Sequence, residues 1–458
     1  MEPSITFDDE VNRDSDQVLL SVSIPAEGLD VYRFLQHGRG ESRFSWRDGA
    51  MTLAGIGKAH EIFGWGKRRY REIQSQAEAL FEGAVIGRSK VDDASISPHL
   101  FGGFSFTADF IPDVAWSSFY PAHFILPHYQ FCAKDGESWL TINILTTDQA
   151  EAIELRQDME SLLHSRLAEL LTTDPLSISP PNPTETSYPM SQAQWHEMLN
   201  LAIGKMRGGE MDKVVLSRVC EIGLDGPAGI THLLKWLDDH YGECNRFLFE
   251  PRPYYAFYGA TPETLIETDG RKISTMGLAG SAPRGTTAET DAAFGDGLLN
   301  DPKNQVEHQL VVDSIRRRLE PLTTALEIGN APELMKLGNI QHLYTPIAGE
   351  TASADGVIPL VEQLHPTPAL GGAPRDKAMD FIASDEPVTR GWYGAPVGYL
   401  NRNLDGKFGV AIRSAVAQRD RVWAYAGAGI VADSDPASEW EETAIKFMPM
   451  LNALRAAK

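Results

Sequence analysis

Near the end of the 458-residue chain, Glu439, Glu442 and Lys446 have the types and the spacing to do chemistry. At about 100° per residue, the three fall within about 60° of one another on a helix. Trp440, Ala444, Phe447, Met448, Leu451 and Leu454 gather on the far side. One reading is an amphipathic helix with a solvated acidic face and an i,i+4 Glu–Lys pair. The other is a face closed over a site, with Glu442 on a metal and Lys446 on an anion. A further carboxylate, Glu307, sits in a stretch of helical spacing at 303–326. There Val306, Leu310, Val311, Val312, Ile315 and Leu319 nearly encircle the axis. A helix apolar all round is buried, and a buried carboxylate needs a partner. That partner is either an Arg or Lys in a salt bridge, or a cation. Two carboxylates on separate helices, completed by water, suit Mg²⁺.

Lys213 opens KVVLSRVCEI (213–222), a β-branched stretch that reads as a strand. A strand-end lysine is ordinarily solvated; a desolvated one could release its proton and act as a base. Gly427-Ala428-Gly429-Ile430-Val431-Ala432 follows another strand and fits the loose dinucleotide pattern G-x-G-x-x-A. The next helix begins only near Pro436, whereas in a dinucleotide-binding unit the glycines open the helix directly. A loop whose N–H groups hold an anion such as a carboxylate is the expectation instead. GLAGSAPRG (277–285) reads as a Gly-rich turn. The sequence has no G-x-S-x-G elbow, no H-E-x-x-H and no Walker A loop.

These groups have to be positioned by a sizeable fold. Strands are expected at 213–222, 246–250, 254–260, 263–268, 272–278, 394–400, 407–417 and 421–426. Turn signals at Asp269-Gly270 and Asp405-Gly406 suggest antiparallel hairpins. Ser191 and Gln194 form a capping box ahead of a helix to about Met206. Strand runs with helices between groups predict an α+β layered fold rather than βαβ alternation. Five prolines within 172–190 read as an exposed linker between an N-terminal α+β part, 1–171, and a second part, 191–458.

Charge and composition narrow the function. The net charge is −22, which argues against nucleic acid and against anionic membrane surfaces. An anionic ligand would need local cations, backbone amides or a metal. No stretch approaches ~18 consecutive apolar residues, so no transmembrane helix is expected. The first fifteen residues are acidic and polar and do not read as a signal peptide. Cys132, Cys220 and Cys244 form no C-x-x-C and sit beside no spaced His pair, so neither a disulfide scaffold nor a structural zinc is expected. A reducing cytosol is the expected compartment, and a monomer the expected state.

Taken together the segments resemble the chorismate-utilising enzymes: isochorismate, salicylate, anthranilate and aminodeoxychorismate synthases. The matching blocks are KVVLSR (213–218), YGATPETL (258–265), GLAGSAPRG (277–285), DPKNQVEHQLVV (301–312), GNIQHL (338–343), LHPTPALGG (364–372), GWYGAPVGY (391–399), VAIRSA (410–415) and AGAGIVADSDPASEWEETAIK (426–446). RFSWRDGAMTLAGIG (43–57) and LFGGFSF (100–106) resemble the isochorismate synthase branch. Lys213 stands where amine-using anthranilate synthases usually have Gln. Ala279 stands where aminodeoxychorismate synthases carry a nucleophilic Lys. Both point to water as the nucleophile, and neither a Cys-based glutaminase domain nor a glutaminase subunit is expected.

The resemblance implies a two-lobed chorismate-binding fold of large, mostly antiparallel sheets packed against helices. It also implies an Mg-dependent conversion of chorismate to isochorismate, for use in menaquinone or siderophore synthesis. Glu307 and Glu442 would hold Mg²⁺, with Glu439 behind them. Tyr393, Arg413 and the amides of Gly427, Ala428 and Gly429 would meet the side-chain carboxylate of chorismate. His342 and Lys446 would line the ring site, and Thr367 would be a further substrate contact. Lys213 would take a proton from water attacking C2, and Glu263 would protonate the oxygen leaving C4. The rival readings are a salicylate synthase, which goes on to eliminate pyruvate, a non-catalytic chorismate-binding protein, and a nicotinamide dehydrogenase.

Overall fold

The computed structural model describes residues 17–88, 96–175, 179–338 and 340–456. The segment read for a signal peptide and Asn339 of the GNIQHL block lie outside them. The fold is α+β, built on one sheet of thirteen strands and one of ten. Among the described residues the strand pairs are antiparallel, except that Val18–Pro25 lies parallel to Val85–Arg88. Short connections of the kind that Asp269-Gly270 signals account for much of this. Thr264–Asp269 and Lys272–Pro283 are joined through Gly270, whose φ of +58° suits a residue without a Cβ.

The inner faces of the two sheets meet through aromatic side chains. Phe44 of the larger sheet stacks on Phe101 of the smaller at 6.0 Å, and Trp46 meets Tyr399 edge-on at 5.9 Å. Phe249, Phe257, Trp116 and Trp392 fill the same layer. Fully burying a side chain of this kind stabilises by about 1.5–3 kcal/mol, so this layer holds the sheets face to face. Helices cover the outer faces.

The segment 172–190 does not separate two cores. Arg43–Arg47 pairs with Asn245–Arg252 in the larger sheet, and His99–Phe104 pairs with Pro396–Asn401 in the smaller. Both sheets therefore draw strands from 1–171 and from 191–458. Pro183–Ser187, within the proline-rich segment, is itself an edge strand that Pro183 opens, a position that tolerates a missing N–H.

Three local expectations are corrected. The helix expected at 303–326 spans Pro302–Leu319; Pro321 follows, and Thr323–Ile328 becomes a strand against Ile340–Thr351. That helix is not buried all round, because Val306 is 63% exposed and Leu310 43%. Its buried side is His308, Val311, Val312, Ile315 and Leu319. The expected loop at 427–432 lies almost wholly within the strand Arg421–Val431, and most of the expected turn at 277–285 lies within the strand Lys272–Pro283. Close approach accounts for glycines in both. A Cβ on Gly277 would sit 2.6 Å from Val312 Cγ2, and one on Gly427 would sit 3.0 Å from the Leu216 carbonyl oxygen.

Candidate active site

A cavity of about 270 Å³ opens beside the aromatic layer, walled by strands of both sheets and by two helices. On the larger sheet, Lys213–Leu224 pairs with Arg421–Val431. The period of two turns Val214, Leu216, Ala428 and Ile430 into the apolar core, and Lys213, Val215, Gly427 and Gly429 toward the cavity. The N–H groups of Val215 and Ser217 bond away from Arg421–Val431, to Gly371 and Glu386. Their opposite numbers, Gly429 and Gly427, therefore also point away from the shared ladder, toward the cavity side. Ala428, opposite Leu216, spends its amide on the ladder and does not line the cavity. The three-amide cradle thus reduces to two glycines, in a strand rather than a loop.

On the smaller sheet, a bulge at Gly280 shifts the register between Lys272–Pro283 and Ile340–Thr351. Gly280 takes φ +76°, as bulged residues of this kind do. The shift brings Ala279, Gly280 and Ser281 all to the cavity and sets Ser281 opposite His342. His342 Nδ1 lies 2.9 Å from Ser281 Oγ and 3.1 Å from the Gly280 carbonyl. A carbonyl only accepts, so Nδ1 carries the proton and Nε2, buried and unpartnered, presents its lone pair. Burial, with Arg413 nearby, pushes the imidazole down to about 3, so it stays neutral.

The helices bring the carboxylates. Asp301 caps Pro302–Leu319 by accepting from Asn304 N–H, and Lys303, Asn304 and Glu307 follow on the cavity side. Asp435 accepts from Ser438 N–H at the start of Pro436–Ala456. The spacing of Glu439, Glu442 and Lys446 then places all three at the cavity, so this acidic face is not simply solvated. Lys446 Nζ donates to Glu442 Oε1 at 2.5 Å and to the Gly427 carbonyl at 3.0 Å. The salt-bridge partner considered for Glu307 is Lys213, whose Nζ donates to Glu307 Oε1 at 2.6 Å. Ser434 Oγ donates to Glu439 Oε1 at 2.8 Å.

Glu263 follows Pro262 between two strands and is 5% exposed. Burial pushes its carboxyl up to about 8, against a lowering by Lys213, so it holds a proton at neutral pH. Glu442 moves the other way: Lys446 beside it outweighs burial and holds it below the usual carboxylate range. Glu439 is raised by burial and by the charge of Glu442. Tyr393, stacked on Tyr425 at 5.3 Å, is pushed up to about 12 by burial. Arg413 adopts φ +49° and lines the cavity with no ion pair among the described residues.

The cavity wall thus holds four cationic side chains, Lys213, Lys303, Arg413 and Lys446, and four carboxyl groups, Glu263, Glu307, Glu439 and Glu442. With Glu263 protonated, the wall is net positive inside a chain of charge −22. Among the described residues, no three His, Cys, Asp or Glu side chains form a ready metal cluster. The donor set nevertheless fits Mg²⁺, which takes one or two carboxylates and keeps several waters. Glu307 and Glu442 face one cavity from separate helices, and a cation there would offset the part of the upward push on Glu439 that comes, after burial, from the charge of Glu442.

Of the residues singled out in the sequence, Thr367 and Ala428 do not reach this cavity. Thr367 lies against a separate small gap behind Glu263, its Oγ1 buried and unpartnered. Lys303, Asn304 and Ser281 line the cavity and were not singled out. The first two flank Glu307 by one helical turn, a signal that i,i+3 and i,i+4 spacing carries. Ser281 depends on the bulge, which sequence spacing does not show.

A protonated carboxyl, a lysine and three further carboxyl groups thus face one cavity whose wall is net positive. The family model described as "Chorismate binding enzyme" matches residues 6–455, and the chain belongs to that family. It is 34% identical over 447 residues to isochorismate synthase MenF of Bacillus subtilis, covering 95% of this chain and 93% of that protein. It is also 34% identical to the salicylate biosynthesis isochorismate synthase of Pseudomonas aeruginosa, over 90% and 84% of the two chains. The solved structure of MenF, the menaquinone-specific isochorismate synthase from Escherichia coli, superposes with a TM-score of 0.79 at 27% identity, covering 95% of this chain and 94% of that one.

Proposed function

We propose that the chain is an isochorismate synthase that adds a hydroxyl from water at C2 of chorismate and releases the C4 hydroxyl as water, with Lys213 as base and Glu263 as acid. Relatives named isochorismate synthase, matched over 90–95% of this chain, support the activity. The observation that carries the assignment of roles is the pairing of a protonated, buried Glu263 with Lys213 across one cavity. Water attacks C2 and its proton goes to Lys213. The ring double bonds shift, the C4–O bond breaks, and Glu263 gives its proton to the leaving hydroxyl. Attack at one carbon and departure at another need both groups held in one geometry, and the strand start at 213 and the short link at 262–263 provide it. To act as base Lys213 must be neutral, so its contact with Glu307 has to be exchanged during the cycle.

Arg413, Tyr393 and the Gly427 and Gly429 amides hold the side-chain carboxylate, and Lys446 and His342 face the ring. Glu307 and Glu442 are the residues that would hold Mg²⁺, with Glu439 behind them. When bound, the ion supplies positive charge against the ring carboxylate. Ala279, at the cavity wall, puts no amine at the position where aminodeoxychorismate synthases carry a nucleophilic lysine. Cys132, Cys220 and Cys244 are buried and in no disulfide, which supports a reducing compartment, the cytosol.

The test is turnover of chorismate in ¹⁸O-labelled water, with product and pyruvate both measured. The expected result is label at C2 of isochorismate, no pyruvate and no covalent adduct on the protein. Unlabelled product refutes the water mechanism, and stoichiometric pyruvate reassigns the activity to salicylate formation.

A further inference from the structure

The strand that carries Lys213 has one edge paired along most of its length with Arg421–Val431. Its other edge is paired only at the ends. Gly372–Ala373 lies opposite Lys213 and Val214, and Pro183–Ser187 lies opposite Glu221–Leu224. Between them, among the described residues, no strand lies opposite: the Val215 N–H still reaches the Gly371 carbonyl, but the Val215 carbonyl and the Ser217 N–H have no backbone partner on this edge. One ion pair takes the place of that strand. Glu386 accepts from Ser217 N–H at 2.9 Å and from Ser217 Oγ at 2.7 Å. Arg390 donates from Nη2 to the Val215 carbonyl at 2.6 Å. The two side chains are joined by paired bonds, Nε to Oε1 and Nη2 to Oε2, each 2.6 Å.

Arg390 reaches two other walls of the cavity. Its Nη1 donates to the Leu370 carbonyl at 3.1 Å, and its own carbonyl accepts from Tyr393 N–H at 2.8 Å. The guanidinium lies over the Phe106 ring at 4.3 Å. Val215, Leu370 and Tyr393 all line the cavity; Glu386 and Arg390 do not. The side chains are 1% and 4% exposed. A buried ion pair is weak evidence for stability, because well-packed apolar residues often do as well. Apolar residues could not, however, satisfy the open backbone groups of 215–217 or tie three separate segments to one planar fork.

We propose that Glu386 and Arg390 are positioning residues for the reaction, fixing the start of the Lys213 strand against the turn that carries Tyr393. The proposal rests on the reading of Lys213 as the base. The fork, not the charge alone, does the positioning, so Arg390→Lys removes the function while keeping the charge. A misplacement of about 1 Å at a reacting group costs roughly 10²-fold.

The experiment measures kcat and KM for chorismate, per folded molecule, for wild type, Arg390→Lys, Glu386→Asp and Lys213→Ala. The expected result is a kcat lowered about 10–100-fold in Arg390→Lys, a smaller loss in Glu386→Asp, and KM within about threefold of wild type in both. A role confined to stability would lower the melting temperature and leave kcat per folded molecule within twofold, which overturns the proposal. A raised KM with unchanged kcat overturns it as well. If Arg390→Lys does not fold, Glu386→Asp decides by the same two criteria. Lys213→Ala keeps the two readings apart. If it retains the wild-type rate, the assignment of the base has failed. If it is inactive while both pair variants turn over normally, only the positioning role has failed.

Discussion

Glu263 and Glu442 face the same cavity with the same side chain, yet their surroundings drive them apart. Glu263 comes from the strand side, is almost wholly buried, and is raised to about 8 because burial outweighs the influence of Lys213. Glu442 comes from the helix side, touches Lys446, and is held low. The strand side therefore offers a proton at neutral pH, whereas the helix side offers negative charge. Two carboxyl groups with values pushed apart are how one site performs acid chemistry and cation binding at one pH. The comparison also shows why geometry outranks residue type: nothing in either glutamate alone separates them.

The largest effects should come from breaking the strand side. Lys213→Gln keeps size and polarity but cannot take the proton, and Glu263→Gln cannot give one. General acid–base groups contribute about 10²–10⁴-fold, so each variant should lose at least that in kcat while still binding chorismate. The reaction exchanges one allylic alcohol for another, so both variants should fail in the reverse direction too, where the roles swap. Near wild-type turnover in Lys213→Gln, measured in either direction, would remove the base from this mechanism.

A smaller and more selective effect should follow from the helix side. A chelator should stop turnover, and Mg²⁺ should restore it. Glu442→Gln and Glu307→Gln should each raise the Mg²⁺ needed for half-maximal rate by about tenfold or more, by analogy with groups that support a metal's ligands. Glu307→Gln also removes the negative charge beside Lys213, 2.6 Å from its Nζ, so its rate at saturating Mg²⁺ reports on that ion pair separately. Full activity in a chelator, or an unchanged Mg²⁺ requirement in both variants, would leave the helix side as an ion-pair network only.

Much of this contrast is legible in the sequence, for physical reasons that differ by element. The C-terminal helix is readable because a period near 3.6 puts Glu439, Glu442 and Lys446 on one face whatever surrounds them. The antiparallel sheets are readable from β-branched runs and turn signals. The glycine segments are not, because glycine serves both turns and close approaches. At Gly427 and Gly277 the reason is a neighbouring chain, Leu216 or Val312, distant in sequence. The same limit hides the bulge at Gly280 and with it Ser281, and it hides Ala428, whose orientation depends on which edge of Lys213–Leu224 is open. The apolar ring around 303–319 misleads because Val306 and Leu310 face outward. The proline-rich segment misleads as a boundary because the pairs that cross it join residues some two hundred positions apart or more.

The smallest expected effect is on stability, and it isolates the proton on Glu263. The folded value of about 8 lies above the ordinary 4.5. Below about pH 4.5 the folded and unfolded chains both hold this proton, so it brings no penalty. Between 4.5 and 8 the unfolded chain has lost it while the folded chain keeps it. Stability therefore falls as pH rises through that window, and above 8 the penalty levels off. Glu263→Gln removes the titration, so the variant should gain on wild type as pH rises, by on the order of a few kcal/mol across the window. The quantity to measure is the melting-temperature difference between Glu263→Gln and wild type at pH 5 and again at pH 8.5. Any pH-independent cost of the amide cancels in that comparison. A difference that grows with pH locates the proton on Glu263 without any assay of activity. A difference that stays constant means the carboxyl is ionised throughout, and Glu263 would then resemble Glu442, with no acid left on the strand side.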